Sequence, residues 1–428
     1  MAVKIGVGLL GCGTVGSAVL RLLAENREEI SQRSGCEYEV VKVAVRDGGR
    51  PREAPIPDGT LTTDAQAVVR DPEVQVVVEV MGGVEPARSL ILDALAEGKS
   101  VVTANKELLA SHGAELFEAA SKGKTDLLFE AAVAGGIPLI RPLRESLSGE
   151  RITRILGIVN GTTNYILTRM SEDGMSFAEA LTDATELGYA EADPDADLEG
   201  FDAAAKCAIL ASLAFGAPVV ASDVYREGIA GVSNEDIGFA ARLGYDVKLL
   251  AVAELEDGQI AVRVHPAMIP LDHPLASVRE AFNAVFVEGP NIGQLMFYGR
   301  GAGGEPTAVA VVGDLVDAGI NISRDSSGFV SPFHAERAVR PMEAMETQYY
   351  LLLDVVDRPG VLAKLASAFG DNGVSIKSVW QEGTGDDALI VIITHRANEG
   401  SVQATVRDLR ALGVVLQVRS VMRVAGEE

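Results

Sequence analysis

An apolar run from Val3 to Leu10 leads straight into Gly11-Cys12-Gly13-Thr14-Val15-Gly16, and from Val15 onward Ala18, Val19, Leu22 and Leu23 form a helical stripe. Strand, GxGxxG and helix in that order admit few folds. The first glycine permits a tight turn, the second lets a pyrophosphate approach the backbone, and the third lets helix and sheet pack closely. The helix N-terminus then faces the phosphates with unpaired N–H groups. Gly11, Cys12, Gly13, Thr14, Val15 and Gly16 are therefore candidate dinucleotide contacts. The plainer alternative is a glycine-rich turn with no ligand.

The alternation continues through Tyr38–Val45, Val74–Val80, Ser100–Thr103 and Asp126–Phe129. Strands separated by helical periodicity predict a Rossmann-type, doubly wound parallel sheet over residues 1–130. The second strand ends in Arg46-Asp47, with Arg50 close behind. An acidic residue there suits the ribose 2′-OH of NAD, whereas arginine suits the 2′-phosphate of NADP. Arg46 comes first and Arg50 adds a second cation, so the reading favours NADP, with NAD possible and a solvated charged turn as the alternative. Thr103 and Lys106 stand at the carboxyl end of another strand, where open α/β sheets gather binding groups.

Residues 131–300 read as a second α/β domain, from Ile152–Val159, Leu249–Ala253 and Ala284–Val287 interleaved with long helices. A helix over Ala308–Ala318 is expected to return to the first domain, completing it with residues 301–320. Residues 321–347, polar and turn-rich around Arg324–Gly328, read as a linker. Residues 348–428 restart in the order βαββαβ, a ferredoxin-like unit. A chain of 428 residues suits such a two- or three-domain plan, since single cores seldom exceed about 250–300 residues.

A formal charge of −24 argues against nucleic acid and anionic membranes as partners. Cys12, Cys36 and Cys207 have no CxxC spacing, and the five histidines are scattered, so neither a disulfide framework nor a zinc site is expected. No signal peptide or spanning segment is evident, and a cytoplasmic protein is expected.

The helix after Phe201 carries the clearest chemical signal. From Ala203 to Phe215 its sole charged residue is Lys206, set among alanines, Ile209, Leu210 and Leu213. A helix apolar nearly all round is buried, and buried lysines are rare unless paired. Asp202 lies four residues earlier on the same face. Burial and a carboxylate pull a lysine's pKa in opposite directions, which suits proton transfer. A purely structural Asp–Lys pair is the alternative. The acidic run Asp193 to Asp202 is not a calcium loop, because Leu198 and Ala204 stand where such a loop needs Gly and Glu. Glu130 to Ile137 could ligate a hard cation through oxygens or be a plain interdomain turn.

Six motifs together resemble homoserine dehydrogenases over the whole chain: Gly8–Gly16, Thr103–Lys106, Glu130–Pro138, Gly157–Asn164, Leu187–Pro194 and Phe297–Gly304. The resemblance implies NAD(P)H-dependent, reversible reduction of L-aspartate 4-semialdehyde to L-homoserine, on the route to threonine, methionine and isoleucine. It implies Lys206 as proton donor with Asp202 positioning it. Gly188, Glu191 and Asp197 match substrate positions, Thr103, Lys106 and Gly303 cofactor positions. Glu130, Val133, Gly135 and Ile137 match a monovalent-cation site such as one for Na+, the last three through carbonyls. The C-terminal unit resembles an ACT domain with Asp357-Arg-Pro-Gly360, implying threonine as effector, or alternatively a dimerising module that binds nothing. A homodimer or homotetramer is implied. A 2-hydroxyacid dehydrogenase would need a His–Glu pair, and an aldehyde-oxidising enzyme a reactive cysteine; neither appears. A non-catalytic sensor of dinucleotide and amino acid would have no use for a proton donor at Lys206.

Overall fold

The computed structural model describes residues 2–425, apart from Ala192, Phe329 and 384–387. The chain divides into two compact units. One comprises residues 1–155, 205–224 and 283–337, and the other residues 156–204, 225–282 and 338–428.

The first unit is built on a six-stranded parallel sheet: β1 (Val3–Leu10), β2 (Cys36–Ala44), β3 (Leu61–Thr62), β4 (Val76–Glu79), β5 (Ser100–Thr103) and β6 (Leu127–Leu128). Their order is β3-β2-β1-β4-β5-β6, so the strand order reverses beside β1, where such sheets open a crevice for a ligand. β1 pairs with β2 from Val3↔Cys36 to Leu10↔Ala44 and with β4 from Val7↔Val76 to Leu10↔Glu79. Ile5, Val7 and Leu9 pack on Ala18, Val19 and Leu23 of the helix Thr14–Glu25, and on Val311 and Leu315 of the helix Gly304–Ser323. That returning helix outruns the sequence reading, which stops at Ala318. Cys12, Cys36 and Cys207 are buried, and none of them is in a disulfide.

β7 (Arg154–Ile158) and β8 (Tyr225–Arg226) precede a long hairpin, β9 (Tyr245–Glu256) and β10 (Gln259–Pro270), then β11 (Phe282–Gly289) and β12 (Gly293–Arg300). β10 and β12 were not foreseen. β10 contains Arg263, His265 and two prolines, and β12 is largely exposed, so neither shows an apolar run.

In the second unit, β13 (Glu346–Val355), β14 (Ile376–Glu382), β15 (Ala388–Thr394), the short β16 (Ala397–Asn398) and β17 (Val415–Val424) surround helices Val361–Asp371 and Glu399–Ala411. The order β9-β10-β17-β13-β15-β14 makes one mixed sheet, and its last four members are the ferredoxin-like βαββαβ unit. Its core joins Tyr349, Leu351 and Leu353 of β13 to Leu365, Phe369, Val402 and Leu409 of the two helices. β10 meets β17 in parallel at Ala267↔Arg423 and Met268↔Val424. Among the described residues no helix is long and apolar enough to cross a membrane.

Candidate active site

The glycine loop follows β1 as the sequence predicts. Gly11 has φ +101°, and a Cβ there would stand 2.9 Å from the Val80 carbonyl oxygen, so no other residue fits without strain. A Cβ at Gly16 would stand 2.3 Å from the Gly11 oxygen, whereas Gly13 faces open space. The helix Thr14–Glu25 begins without a side-chain cap, leaving its first N–H groups for an anion. Thr14 is exposed and Val15 half-buried, while Cys12 is buried with Sγ 3.6 Å from Ser17 Oγ. Gly303, with φ +120°, precedes the returning helix, and a Cβ on Gly304 would touch Thr14 at 3.0 Å. Gly303 is therefore brought to this loop from far along the chain. The cradle fits a pyrophosphate.

Arg46 and Arg50 are exposed beyond β2. The exposed Asp47 carboxylate accepts the Gly49 N–H at 2.8 Å. Arg52, which the sequence reading overlooked, donates to the carbonyls of Asp47 (2.6 Å) and Arg50 (2.7 Å). Asp47 thus shapes the turn, and Arg46 and Arg50 are left facing outward.

At the ends of β4 and β5, Glu79 lies opposite Thr103 in register and is fully buried. The Thr103 hydroxyl donates to Glu79 at 2.6 Å, and Glu79 also accepts the N–H groups of Met81 (2.7 Å) and Gly82 (3.2 Å). Asn105 caps the helix Lys106–Gly123 through Leu108 N–H at 3.1 Å and donates to the Gly83 carbonyl at 2.7 Å. Lys106 opens that helix, half-buried. Glu79 was missed because a single acid at a strand end carries no local signal.

In the second unit the substrate candidates cluster around Asn160, which the sequence reading passed over except as part of a motif. Its side-chain nitrogen donates to Asp197 Oδ1 (2.7 Å) and Asp202 Oδ2 (2.9 Å), and its oxygen caps the helix Gly161–Asp173 through Thr163 N–H. The Thr162 hydroxyl lies 2.7 Å from the Tyr189 carbonyl and 3.0 Å from Asp197 Oδ2, and its one proton serves one of them at a time. Gly188 has φ +76°, and Glu191 is exposed. Ala192, inside the same motif, lies outside the described residues. Asp202 and Lys206 occupy successive turns of the helix Phe201–Phe215, each 7% exposed. Burying both charges costs several kcal/mol per ion unless each is met by partners.

The turn after β6 tests the cation expectation. Glu130 accepts the N–H groups of Leu139, Ile140 (2.7 Å) and Arg141 (2.8 Å). Its own N–H donates to Asp314, whose carboxyl burial pushes up to about 7. Arg141 bridges Asp314 (3.2 Å) and Asp317 (2.6 Å). Ala134 and Gly135 are successive left-handed residues. Three N–H donors leave the Glu130 carboxylate about one of its roughly four acceptor positions.

Comparison with known proteins adds a family to this geometry. Residues 11–130 match the model described as homoserine dehydrogenase, NAD binding domain; residues 138–316 match homoserine dehydrogenase; and residues 349–414 match the ACT domain. The homoserine dehydrogenase of Corynebacterium glutamicum is 49% identical over 98% of this chain and 95% of its own length. The crystal structure of a homoserine dehydrogenase from Thiobacillus denitrificans superposes with TM-score 0.92 at 44% identity, covering 99% of this chain and 98% of that one. A hyperthermophilic archaeal homoserine dehydrogenase in complex with NADPH superposes with TM-score 0.63 at 31% identity, covering 74% of this chain and 97% of that one.

Proposed function

The chain belongs to the homoserine dehydrogenase family, and from that premise we propose that it interconverts L-aspartate 4-semialdehyde and L-homoserine with NADP preferred, Lys206 carrying the proton. The observation that carries the proposal is the buried Lys206 one turn beyond Asp202, on a helix whose first turn is tied through Asn160 to Asp197.

Nicotinamide supplies the hydride when bound; the rest falls to this chain. The free N–H groups after Gly13 take the pyrophosphate. Arg46 and Arg50 pair with the 2′-phosphate, a preference supported by the exposure of both arginines, by the use of one Asp47 carboxylate oxygen on the Gly49 N–H, and by the relative bound to NADPH. Glu79 holds Thr103 and the Met81–Gly82 turn, which with Lys106 and Gly303 frame the remaining cofactor edge. In the reductive direction Lys206 gives a proton to the carbonyl oxygen as negative charge develops there, and it takes the proton back from the hydroxyl in the oxidative one. Asp202 positions the ammonium. Gly188, Glu191 and Asp197 receive the amino acid, with Glu191 matched to its ammonium group. A monovalent cation such as Na+ at Glu130 and the carbonyls of Val133, Gly135 and Ile137 would supply fixed positive charge in that turn.

The reaction would stand on the route to threonine, methionine and isoleucine, with threonine as effector at the ACT domain. Gly360, at φ +90°, opens the uncapped helix Val361–Asp371, a place suited to an amino-acid carboxylate. A cytoplasmic homodimer or homotetramer is the expected form.

Initial rates at the NAD(P)H absorbance band test this, with homoserine, NADP+ or NAD+, and threonine present or absent. Homoserine-dependent reduction is expected, faster with NADP+. Lys206→Ala should lower kcat by about 10²–10⁴-fold with its fold intact. Absence of turnover in well-folded wild-type protein would sink the activity, and near-normal turnover in the variant would sink the role of Lys206.

A further inference from the structure

We infer that Arg226 is a positioning residue of the homoserine site, and that Glu227 and Arg423 anchor it to the C-terminal sheet. The inference rests on the reading above that Asp197 receives the amino-acid substrate and Asp202 positions Lys206.

Both carboxylates meet on the side-chain nitrogen of Asn160, so their separation depends on the four residues between them, Leu198 to Phe201. Each of those four is held from one side by the short stretch 226–229 or by β10 beneath it. The Arg226 guanidinium stacks 3.3 Å over the Phe201 ring and donates to the Glu199 carbonyl at 3.3 Å. Ile229 N–H donates to the Leu198 carbonyl at 2.9 Å. A Cβ on Gly228 would stand 2.4 Å from that same oxygen, and one on Gly200 would stand 3.2 Å from Val264 of β10. Backbone therefore lies on backbone with no room for a side chain. Phe201 is 51% exposed, so the ring is not held by a core. Arg226 covers it.

The brace is itself anchored. Tyr225 and Arg226 pair with Arg263 and Val264 of β10, and Glu227 N–H donates to the Val264 carbonyl at 2.8 Å. Arg423, on the last strand, reaches Glu227 at 3.0 Å with one nitrogen and Glu399 at 2.9 Å with another. Glu399 begins the second helix of the C-terminal domain and also accepts the Tyr349 hydroxyl at 2.6 Å. One buried arginine thus joins the ferredoxin-like domain to the strand that braces the substrate turn. The Arg423–Glu227 ion pair, the chain from Glu227 to Gly228, and the Arg226 and Ile229 bonds to the turn thus connect β17 with the segment between Asp197 and Asp202.

Residues that hold Asp197 and Asp202 in register act on the homoserine end of the site, through Asp197 and through the Lys206 that Asp202 positions, and not on the dinucleotide. In the full-length protein, Arg226→Ala should raise KM for homoserine about tenfold while KM for NADP+ stays within about twofold. Arg226→Lys, which keeps the charge but loses the planar stack, should fall between. Phe201→Leu is the second variant, because a half-exposed ring can be trimmed without unfolding the protein, and it should reproduce the same split. Glu227→Gln should move KM for homoserine in the same direction by a smaller factor. Equal rises in both KM values, or no change in either for the folded Arg226→Ala and Phe201→Leu proteins, would overturn the inference. Absence of homoserine turnover in the wild type would instead overturn the activity on which it rests.

Discussion

The glycine loop after β1 and the charged hub around Arg423 place charge-binding groups in opposite ways. The loop spends almost no side chains: an exposed Gly13, an uncapped helix and two close-packed glycines leave backbone N–H groups facing outward. The hub spends little else. Arg423, Glu399 and Tyr349 are each under 4% exposed, arrive from different elements and satisfy one another. A backbone device tolerates changes in side-chain chemistry but not in shape. A side-chain device tolerates modest shape change but not the loss of one partner, because an uncompensated buried charge remains.

The largest expected effect follows from that difference. Arg423→Met leaves Glu399 buried beside Tyr349 without its cation, and should cost about 3–5 kcal/mol in a denaturant titration. Adding Glu399→Gln should restore part of it. A loss under about 1 kcal/mol would break the contrast, since the hub would then behave like a solvated ion pair.

A middle-sized effect is expected at the nucleotide end, where Arg46 and Arg50 are exposed. Arg46→Ser should cut kcat/KM with NADP+ by about tenfold or more, a charged hydrogen bond being worth about 1.5–3 kcal/mol, and leave NAD+ nearly unchanged. The ratio of initial rates checks this. Equal losses with both cofactors would assign Arg46 to the fold instead.

The smallest effect concerns pH. Burial, and then the nearby Arg423 and Arg263, hold His265 well below its ordinary value. Its Nδ1 donates to the Pro266 carbonyl at 2.9 Å. The folded ring therefore stays neutral while the unfolded chain takes up a proton below about pH 6.5. The contribution of His265 to stability should be level above that pH and fall as pH drops through it, by at most about 1.4 kcal/mol per unit, opposed by Asp314, whose raised value favours the folded state as pH falls below about 7. His265→Gln should flatten that part of the slope in denaturant midpoints measured from pH 5 to 7.5. An unchanged slope would place the acid sensitivity elsewhere.

Much of this was legible in the residues. Val3–Leu10 and Ser100–Thr103 were read as strands with the bounds the structure has, because each is a short apolar run closed by a turn signal. Lys206 stood out because a lone charge in an apolar helix is conspicuous at local range. β10 was hidden because Arg263 and His265 occupy positions an ordinary buried strand gives to apolar residues, and they do so to serve the hub. Asn160 and Glu79 gave no warning, since each acts by reaching groups brought near only by folding.

The residues alone determined what depends on neighbours a few positions apart: the strand–glycine–helix start, the alternating first sheet, the βαββαβ close and the family. Tertiary structure decided how buried polar groups are shared. Asn160 joins Asp197 to Asp202, Glu79 engages the Thr103 hydroxyl, and Arg423 ties Glu399 to Glu227 across 196 positions, the difference between 423 and 227. A buried polar atom must find a partner wherever the fold supplies one, and periodicity along the chain does not say where that will be.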